Sequence, residues 1–202
     1  TQKKTTKTTS HSNFSIQYLL AFVALASSYI TATTLNAIVD KDIDKINPPN
    51  NKGRPLVTGE AKRKDLLVIH FLGIALTLLS SLTISFKAAG IMLASLVINY
   101  IYSIPPIRIS YRTYLAPLLL AFAYVAIPYW LGLTVVGADW SKGDTVFILS
   151  LIAFFLGRIV LKDFRDRKGD AKYGKPTFLL RYGKNKTCIF SLAALLTGNI
   201  LL

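Results

Sequence analysis

Residues 66–107 read LLVIHFLGIALTLLSSLTISFKAAGIMLASLVINYIYSIPPI, an almost uninterrupted apolar run of 42 residues. A helix needs roughly 20 apolar residues to cross the hydrocarbon core of a bilayer. The run is therefore too long for one membrane span and long enough for two. Lys87, followed by Ala88-Ala89-Gly90, is the place where we expect it to turn. This stretch predicts a hairpin of two transmembrane helices.

Apolar runs of similar length recur along the chain, in which 52% of the residues are hydrophobic. Soluble helices show an amphipathic stripe instead, and a membrane β-barrel would show strand alternation, so both classes are excluded. The sequence predicts an all-α, polytopic transmembrane bundle in residues 16–202, after a polar N-terminal tail or loop at 1–15. The predicted spans are 16–39, 66–86, 88–107, 114–136 and 145–161, and a sixth apolar run covers 188–202.

The charge of the chain is distributed unevenly between the two membrane faces that these spans define. The chain has 24 Lys+Arg and 10 Asp+Glu residues, which give a net charge of +14. The loops 40–65, 103–113 and 162–187 share one face with 18 Lys+Arg residues, whereas the other face has 5. The positive-inside rule therefore places the three basic loops on the cytoplasmic side of the membrane, which is the cell membrane if the protein is prokaryotic. Because topology explains the charge, we expect no nucleic acid partner.

Most of the acidic residues also lie on this basic face, where they form two clusters. In the first, Asn36, Asp40 and Asp44 are spaced i, i+4, i+8, so a helix presents all three on one side. Such an array would repel itself near a membrane unless something bound there. Oxygen ligands of this kind suit Mg²⁺, which takes one or two carboxylates together with substrate phosphates.

The second cluster follows the fifth span and has the same character. Asp163, Asp166 and Asp170 are spaced i, i+3, i+7, again on one helical side. Both clusters end spans that run in the same direction, so they reach the same membrane face. Two metal-binding stripes surrounded by cations predict a diphosphate site, in which the four acids Asp40, Asp44, Asp163 and Asp166 are catalytic. The expected diphosphate-binding cations are Arg54, Lys162, Arg165, Arg158 and Arg108.

These motifs resemble those of the UbiA-type membrane prenyltransferase superfamily. Its N-x-x-x-D-x-x-x-D signature is matched by Asn36, Asp40 and Asp44, and its R-P-x-x-x-G element by Arg54, Pro55 and Gly59. The second aspartate signature is matched at 162–170. The segment Gly174-Lys-Pro-Thr177 is similar to the G-x-x-T that often comes next, and Tyr102-Ser-x-Pro-Pro-x-Arg108 is also similar to several branches.

The resemblance implies a nine-helix fold around a central cavity, with the motifs on the second and sixth helices. We therefore expect the chain to lack the first helix and the last ones, as an incomplete part of that fold. The implied reaction is Mg²⁺-dependent transfer of a polyprenyl group from an allylic diphosphate to a hydrophobic, aromatic or lipid acceptor. Tyr100 and Tyr102 would line the substrate cavity and stabilise an allylic cation.

Two alternatives remain open from the sequence. One branch of the superfamily transfers phosphoribose to a polyprenyl phosphate, and a transporter could also hold acids near the membrane. A transporter would place its ionisable groups near the bilayer midplane, whereas the spans here are almost free of charge. Beyond the lipid bilayer and the two substrates, the sequence gives no indication of an obligate protein partner.

Overall fold

The computed structural model describes residues 3–47 and 53–202, with side chains described from Ile16 onward. Every regular element in these residues is a helix. The α-helices are α1 (Lys3–Val39), α2 (Lys41–Asp44), α3 (Pro55–Thr58), α4 (Arg63–Ile84), α5 (Phe86–Ser103), α6 (Leu115–Ala121), α7 (Ile127–Val136), α8 (Lys142–Ile159), α9 (Asp163–Lys172) and α10 (Phe178–Leu201). Two 3-10 turns (Ile109–Tyr111 and Val160–Lys162) and one π-helical segment (Phe122–Ala126) connect some of them.

Five helical segments have the length and composition of a membrane span, which confirms the predicted transmembrane architecture. They are Ile16–Val39, Arg63–Ile84, Phe86–Ser103, Leu115–Val136 and Lys142–Lys172. Only 22–33% of the residues in these spans are buried inside the protein. Many large apolar side chains in these spans are exposed, among them Phe22, Leu79 and Val97, as lipid-facing positions require. The sixth apolar run belongs to α10, which packs along α8.

The predicted hairpin is present, but the chain turns at Ser85 rather than at Lys87. Helix α4 ends at Ile84 and α5 begins at Phe86, with Ser85 in an extended conformation between them. The Ser85 hydroxyl accepts a hydrogen bond from the Ala88 amide at 3.0 Å. Serine is a preferred N-cap because its oxygen satisfies an amide at the start of a helix. A capping residue therefore sets the turn, two positions before the charge.

Helices α1, α4, α5 and α7 pack together around small side chains. Ala21, Ala24, Ala88 and Met92 contribute to this core and are nearly or fully buried. The Ser27 and Thr77 hydroxyls hydrogen-bond between α1 and α4 at 2.9 Å. Small residues and hydroxyl pairs of this kind hold helices together in membranes, where the hydrophobic effect cannot do so.

Helices α8 and α10 form a second close pair. Ser150 donates to the Gly198 carbonyl at 2.7 Å, and Ser191 donates to the Gly157 carbonyl at 2.6 Å. Since α9 continues from the end of α8, this pairing fixes the position from which the second acidic cluster begins.

Helix α1 extends back to Lys3, through the stretch for which the sequence predicts a polar tail or loop. The side chains before Ile16 lie outside the described part of the chain. The division at residue 16 therefore rests on composition alone.

Candidate functional site

The first acidic cluster lies where α1 leaves its membrane span. Asp40 interrupts the helix, with φ −94° and ψ 12°, and α2 begins at the next residue. The helical register nevertheless continues, because the Asp40 amide donates to Asn36 O and the Asp44 amide donates to Asp40 O, both at 2.8 Å. Asp40 is buried and Asn36 is half-buried. The stripe predicted from the spacing therefore persists across the bend.

Asp42, which the spacing places off this stripe, points away from it. Its carboxylate pairs with Lys45 at 2.9 Å, and both side chains are exposed. This aspartate belongs to the same segment but takes no part in the site.

The second acidic cluster lies on α9. A 3-10 turn at Val160–Lys162 joins this helix to α8, so that α9 begins directly with Asp163. Asp163 and Asp166 are partly buried, and Asp170 is buried with 3% of its surface exposed. All three acids lie on the side of α9 that faces the first cluster.

The two clusters meet through a close approach of α9 to the segment after α2. The Gly169 amide donates to Oδ1 of Asn47 at 2.8 Å, and Asn47 is fully buried. A Cβ atom on Gly169 would lie 2.5 Å from the Ile43 carbonyl oxygen and 2.6 Å from Nδ2 of Asn47. Only glycine therefore allows the two segments to approach so closely.

Arg54 connects the clusters on one side. Its two terminal nitrogens each lie 2.6 Å from a carboxylate, Nη1 from Asp44 and Nη2 from Asp166. Nη1 also donates to the Asp44 carbonyl at 3.0 Å. The planar guanidinium can contact two carboxylates at once because its donors form a rigid fork. Its side chain is only 10% exposed.

Lys175 connects the clusters on the other side. Its ammonium lies 3.7 Å from Oδ2 of Asp40 and 3.6 Å from Oδ1 of Asp170. Burial alone would lower the pKa of Lys175. The pKa is raised instead, because the negative charges of Asp40 and Asp170 together have a larger effect than burial. Each of these two cations therefore neutralises one acid from each cluster.

Arg108 supplies a third cation, on Asp40. Its Nη2 lies 3.0 Å from Oδ1 of Asp40, and its guanidinium lies over the Tyr111 ring at 4.1 Å from the ring centre. Arg108 has φ 38°, a left-handed conformation that non-glycine residues rarely adopt. Its Nε is buried without a hydrogen-bond partner among the described residues. Such a strained, incompletely satisfied residue is typical of functional sites.

The other three predicted cations are exposed and differ in position. Lys162 lines a cleft of about 70 Å³ together with the acids of α9. Arg165 pairs with its neighbour Asp166 at 3.2 Å. Arg158 lies on the exposed surface of α8, directly before Ile159, which lines the cleft. The structure therefore brings Arg165 into contact with a cluster acid and Lys162 to the cleft, whereas Arg158 does not line the cleft.

The two predicted tyrosines point in different directions. Tyr102 lines the cleft, beside Asp163 and Asp170. The Tyr100 hydroxyl instead lies 3.0 Å from Nε2 of the buried His70, on the side of α5 that faces α4. Tyr100 lines neither this cleft nor the apolar cavity described next.

An apolar cavity of about 300 Å³ opens between α1, α5 and the segment that joins α6 to α7. On α1 its wall includes Phe22, Tyr29 and Ala32, and Asn36 follows one turn later. Helical spacing therefore places the cavity wall and the first acidic stripe on one face of α1. The remaining lining residues are Leu25, Ala26, Ser28, Ser95, Asn99, Ala123, Tyr124 and Pro128.

The donor set of the paired clusters fits a hard divalent cation. Burial raises the pKa of Asp44 to about 6, with the charges of Asp40 and Asp166 adding to the effect and Arg54 opposing it. The Asp44 carboxylate is therefore destabilised mainly by its removal from water, which a bound divalent cation would offset. Within the described ranges, no three acidic, His or Cys side chains are yet grouped around one point. Lys175 and Arg54 instead lie between pairs of carboxylates, which are the ligand pairs that a Mg²⁺ ion accepts.

Sequence reasoning did not single out three residues that the structure places in this site. Lys175 lies in the Gly174-Lys-Pro-Thr177 segment, but the sequence does not indicate its contacts with Asp40 and Asp170. Gly169 lies within the second aspartate signature, but no sequence pattern indicates its contact with Asn47. That contact depends on the approach of two segments that are far apart in the chain.

Comparison with known proteins gives a consistent result. The profile of the UbiA prenyltransferase family matches residues 8–202. Chlorophyll synthase of Arabidopsis thaliana is 29% identical over 161 residues, which are 74% of this chain and 40% of that protein. Digeranylgeranylglyceryl phosphate synthase of Sulfurisphaera tokodaii is 27% identical over 180 residues, 87% of this chain and 61% of that protein. The chain thus spans about two fifths to three fifths of these relatives.

Solved structures show the same fold. A UbiA homologue from Archaeoglobus fulgidus bound to DMAPP and Mg²⁺ superimposes with a TM-score of 0.77 at 22% identity, covering 92% of this chain and 65% of that one. A UbiA homologue from Aeropyrum pernix also gives a TM-score of 0.77, at 20% identity, covering 92% of this chain and 68% of that one. Because the family profile matches nearly the whole sequence, the chain belongs to the UbiA prenyltransferase family.

Proposed function

We propose that this protein transfers a polyprenyl group from an allylic diphosphate to a hydrophobic acceptor, at the site between the two acidic clusters. One observation carries the proposal: carboxylates from two distant segments converge where Arg54 joins Asp44 to Asp166, and an apolar cavity ends one turn before Asn36 on the same face of α1. A charged headgroup and an apolar tail could therefore bind at adjoining places.

The headgroup chemistry follows from the charges around the clusters. Mg²⁺ held by Asp40, Asp44, Asp163 and Asp166, with Asn36 and Asp170 as further oxygen ligands, would neutralise the diphosphate so that it can depart. The nearby cations, Arg54, Arg108 and Lys162, would hold phosphate oxygens and stabilise the charge that develops on them. Arg165 and Arg158, being more exposed, would act from the edge of the site.

The bond changes involve the prenyl carbon and the acceptor. The bond between the allylic carbon and the diphosphate oxygen breaks, and its electron pair leaves with the diphosphate. The acceptor then forms a bond to that carbon and loses a proton. Tyr102 lines the cleft where the allylic carbon would lie, and its ring face could stabilise positive charge. Tyr100 lies against His70 and is better suited to holding α5 against α4.

The apolar tail is best accommodated in the cavity along α1 and α5. Ser95 and Asn99 line this cavity, and Tyr102, one turn further along α5, lines the cleft at the acidic clusters. A prenyl chain in the cavity would thus present its diphosphate end to the clusters. We place this end of the bundle on the cytoplasmic side, because the basic loops lie there.

The test compares acids on and off the site. Asp40→Ala and Asp163→Ala should each abolish Mg²⁺-dependent transfer from a labelled prenyl diphosphate, while membrane insertion is unchanged. Asp42→Ala is the matched control, since this exposed acid lies in the same segment but pairs only with Lys45 among the described residues. Undiminished transfer in both site variants would refute the assignment.

The same assay separates the alternatives. A phosphoribosyltransferase would consume a phosphoribosyl donor and a polyprenyl phosphate, and would leave a prenyl diphosphate intact. A transporter reconstituted in vesicles would move its substrate across the vesicle membrane without releasing diphosphate. We expect diphosphate release from the prenyl donor in the presence of an acceptor, tested over aromatic and lipid acceptors.

A further inference from the structure

Lys175 occupies a position that is more constrained than that of a surface lysine. Its side chain is 18% exposed, and its ammonium lies between Asp40 of the first cluster and Asp170 of the second. Among the side chains that the structure describes, in residues 16–47 and 53–202, no other cation pairs with Asp170. The Asp170 side chain is only 4% exposed, so its charge depends on this one partner.

The backbone around Lys175 holds it in this position. Its amide donates to the Asp170 carbonyl at 2.9 Å, and its own carbonyl accepts from the Thr177 amide at 2.8 Å. Between them, the Pro176 carbonyl accepts from the Thr113 hydroxyl at 2.6 Å. The loop is thus tied to α9, to the start of α10 and to the segment before α6, and the ammonium is directed between the clusters.

Asp40 and Asp170 are also oxygen ligands that the proposed function assigns to the divalent cation. An ammonium and a metal ion cannot both take the same oxygens at close range, because their positive charges repel each other. We propose that Lys175 competes with the divalent cation for Asp40 and Asp170, and that it acts as an internal counter-ion which keeps the clusters neutral until the metal displaces it. This inference rests on the proposed metal site.

Competition of this kind lowers the apparent affinity of the site for the metal ion. If the metal binds only when the Lys175 contacts are open, its apparent affinity is reduced by the fraction of molecules in the open state. Removing the ammonium should therefore tighten metal binding, whereas a lysine that merely supports the metal site would weaken it when removed. The two roles predict opposite signs.

The experiment measures Mn²⁺ binding to the purified full-length protein, by the paramagnetic resonance signal of free Mn²⁺, without any prenyl diphosphate. Lys175→Met should bind Mn²⁺ at least about tenfold more tightly than the unsubstituted protein. Lys175→Gln, which removes the charge but keeps a polar side chain, should show a smaller gain. Lys172→Met is the matched control, because it removes an exposed charge from the end of α9. This variant should bind Mn²⁺ with the affinity of the unsubstituted protein.

Three outcomes are informative. Tighter binding in both Lys175 variants, abolished when Asp170→Asn is added, supports the competition. Binding that is equal or weaker in the Lys175 variants overturns it, while the metal site of the proposed function still stands. If Mn²⁺ binds to none of the proteins, both the competition and the metal site fail. Because Lys175→Gln keeps the local polarity, it decides the question if Lys175→Met does not fold.

Discussion

Arg54 contacts one acid from each cluster through separate nitrogens, which a lysine ammonium cannot reproduce with the same geometry. We therefore expect Arg54→Lys to reduce prenyl transfer about tenfold to a hundredfold, although the charge is kept. Initial rates at saturating prenyl diphosphate measure this effect. Arg63→Lys, at the exposed start of α4, is the control and should retain full activity. Equal rates for the two variants would show that charge alone matters at Arg54.

At the scale of residues, the sequence predicts the site residues that follow a regular helical spacing. The acids of both clusters follow helical periodicity, and the structure places them on facing surfaces. The R-P-x-x-x-G element likewise indicates Arg54 as a site residue. Lys175 was not singled out, because its two partners are 135 and 5 residues away in the sequence and only the fold brings both to it. For Tyr100 the position near a motif predicts a place in the substrate cavity, but the structure places its hydroxyl against His70.

At the scale of elements, Gly169 sets the distance between α9 and the segment that carries Asn47. A methyl group there would overlap the Ile43 carbonyl and the Asn47 amide, so Gly169→Ala should cost about 1–3 kcal/mol of unfolding free energy. Because the clusters would separate, we also expect a loss of transfer activity. Unfolding of the detergent-solubilised protein measures the first effect and the prenyl transfer assay the second.

Gly90→Ala is the control for this substitution. A Cβ atom at Gly90 would meet no atom within 4 Å, and the residue lies inside α5. The substitution should leave stability unchanged or raise it by up to about 1 kcal/mol, since alanine favours the helix. If Gly169→Ala is tolerated as well as Gly90→Ala, the close contact does not determine the geometry of the site.

The hydroxyl pair between α1 and α4 should make only a small contribution to stability. Each hydroxyl has a competing acceptor on its own helix: Val23 O lies 2.6 Å from the Ser27 hydroxyl, and Gly73 O lies 2.7 Å from the Thr77 hydroxyl. Because a hydroxyl has one proton, one of the two donates across the pair while the other donates to its own helix. We expect a double-mutant cycle of Ser27→Ala and Thr77→Val to give a coupling free energy of about 0.6 kcal/mol. Pairing Ser27→Ala with Thr83→Val, at an exposed site on α4, should give no coupling. A coupling near zero in the first cycle would mean that the contact contributes nothing.

At the scale of the whole molecule, the fold could be predicted because a bilayer imposes so few solutions. Runs of about 20 apolar residues must be helices, and the five predicted spans are found. The boundaries were less accurate: Ser85 caps the hairpin before Lys87, and Asp40 bends the helix that its stripe predicts to be continuous. Capping and bending depend on a single side chain or backbone angle, to which hydropathy is insensitive.

The arrangement of charge across the membrane leads to the last prediction, which concerns orientation. The acidic clusters share their face with 18 of the 24 Lys+Arg residues, so we expect the site to open to the cytoplasm. Single cysteines can test this in a Cys188→Ser background, since Cys188 is exposed. Lys64→Cys reports the face of the clusters, and Ala138→Cys reports the loop between α7 and α8. In intact cells, a membrane-impermeant thiol reagent should label only the cysteine introduced at 138, whereas permeabilised cells should show both. Labelling at 64 in intact cells would place the site, and with it the entry of the diphosphate, on the outer face.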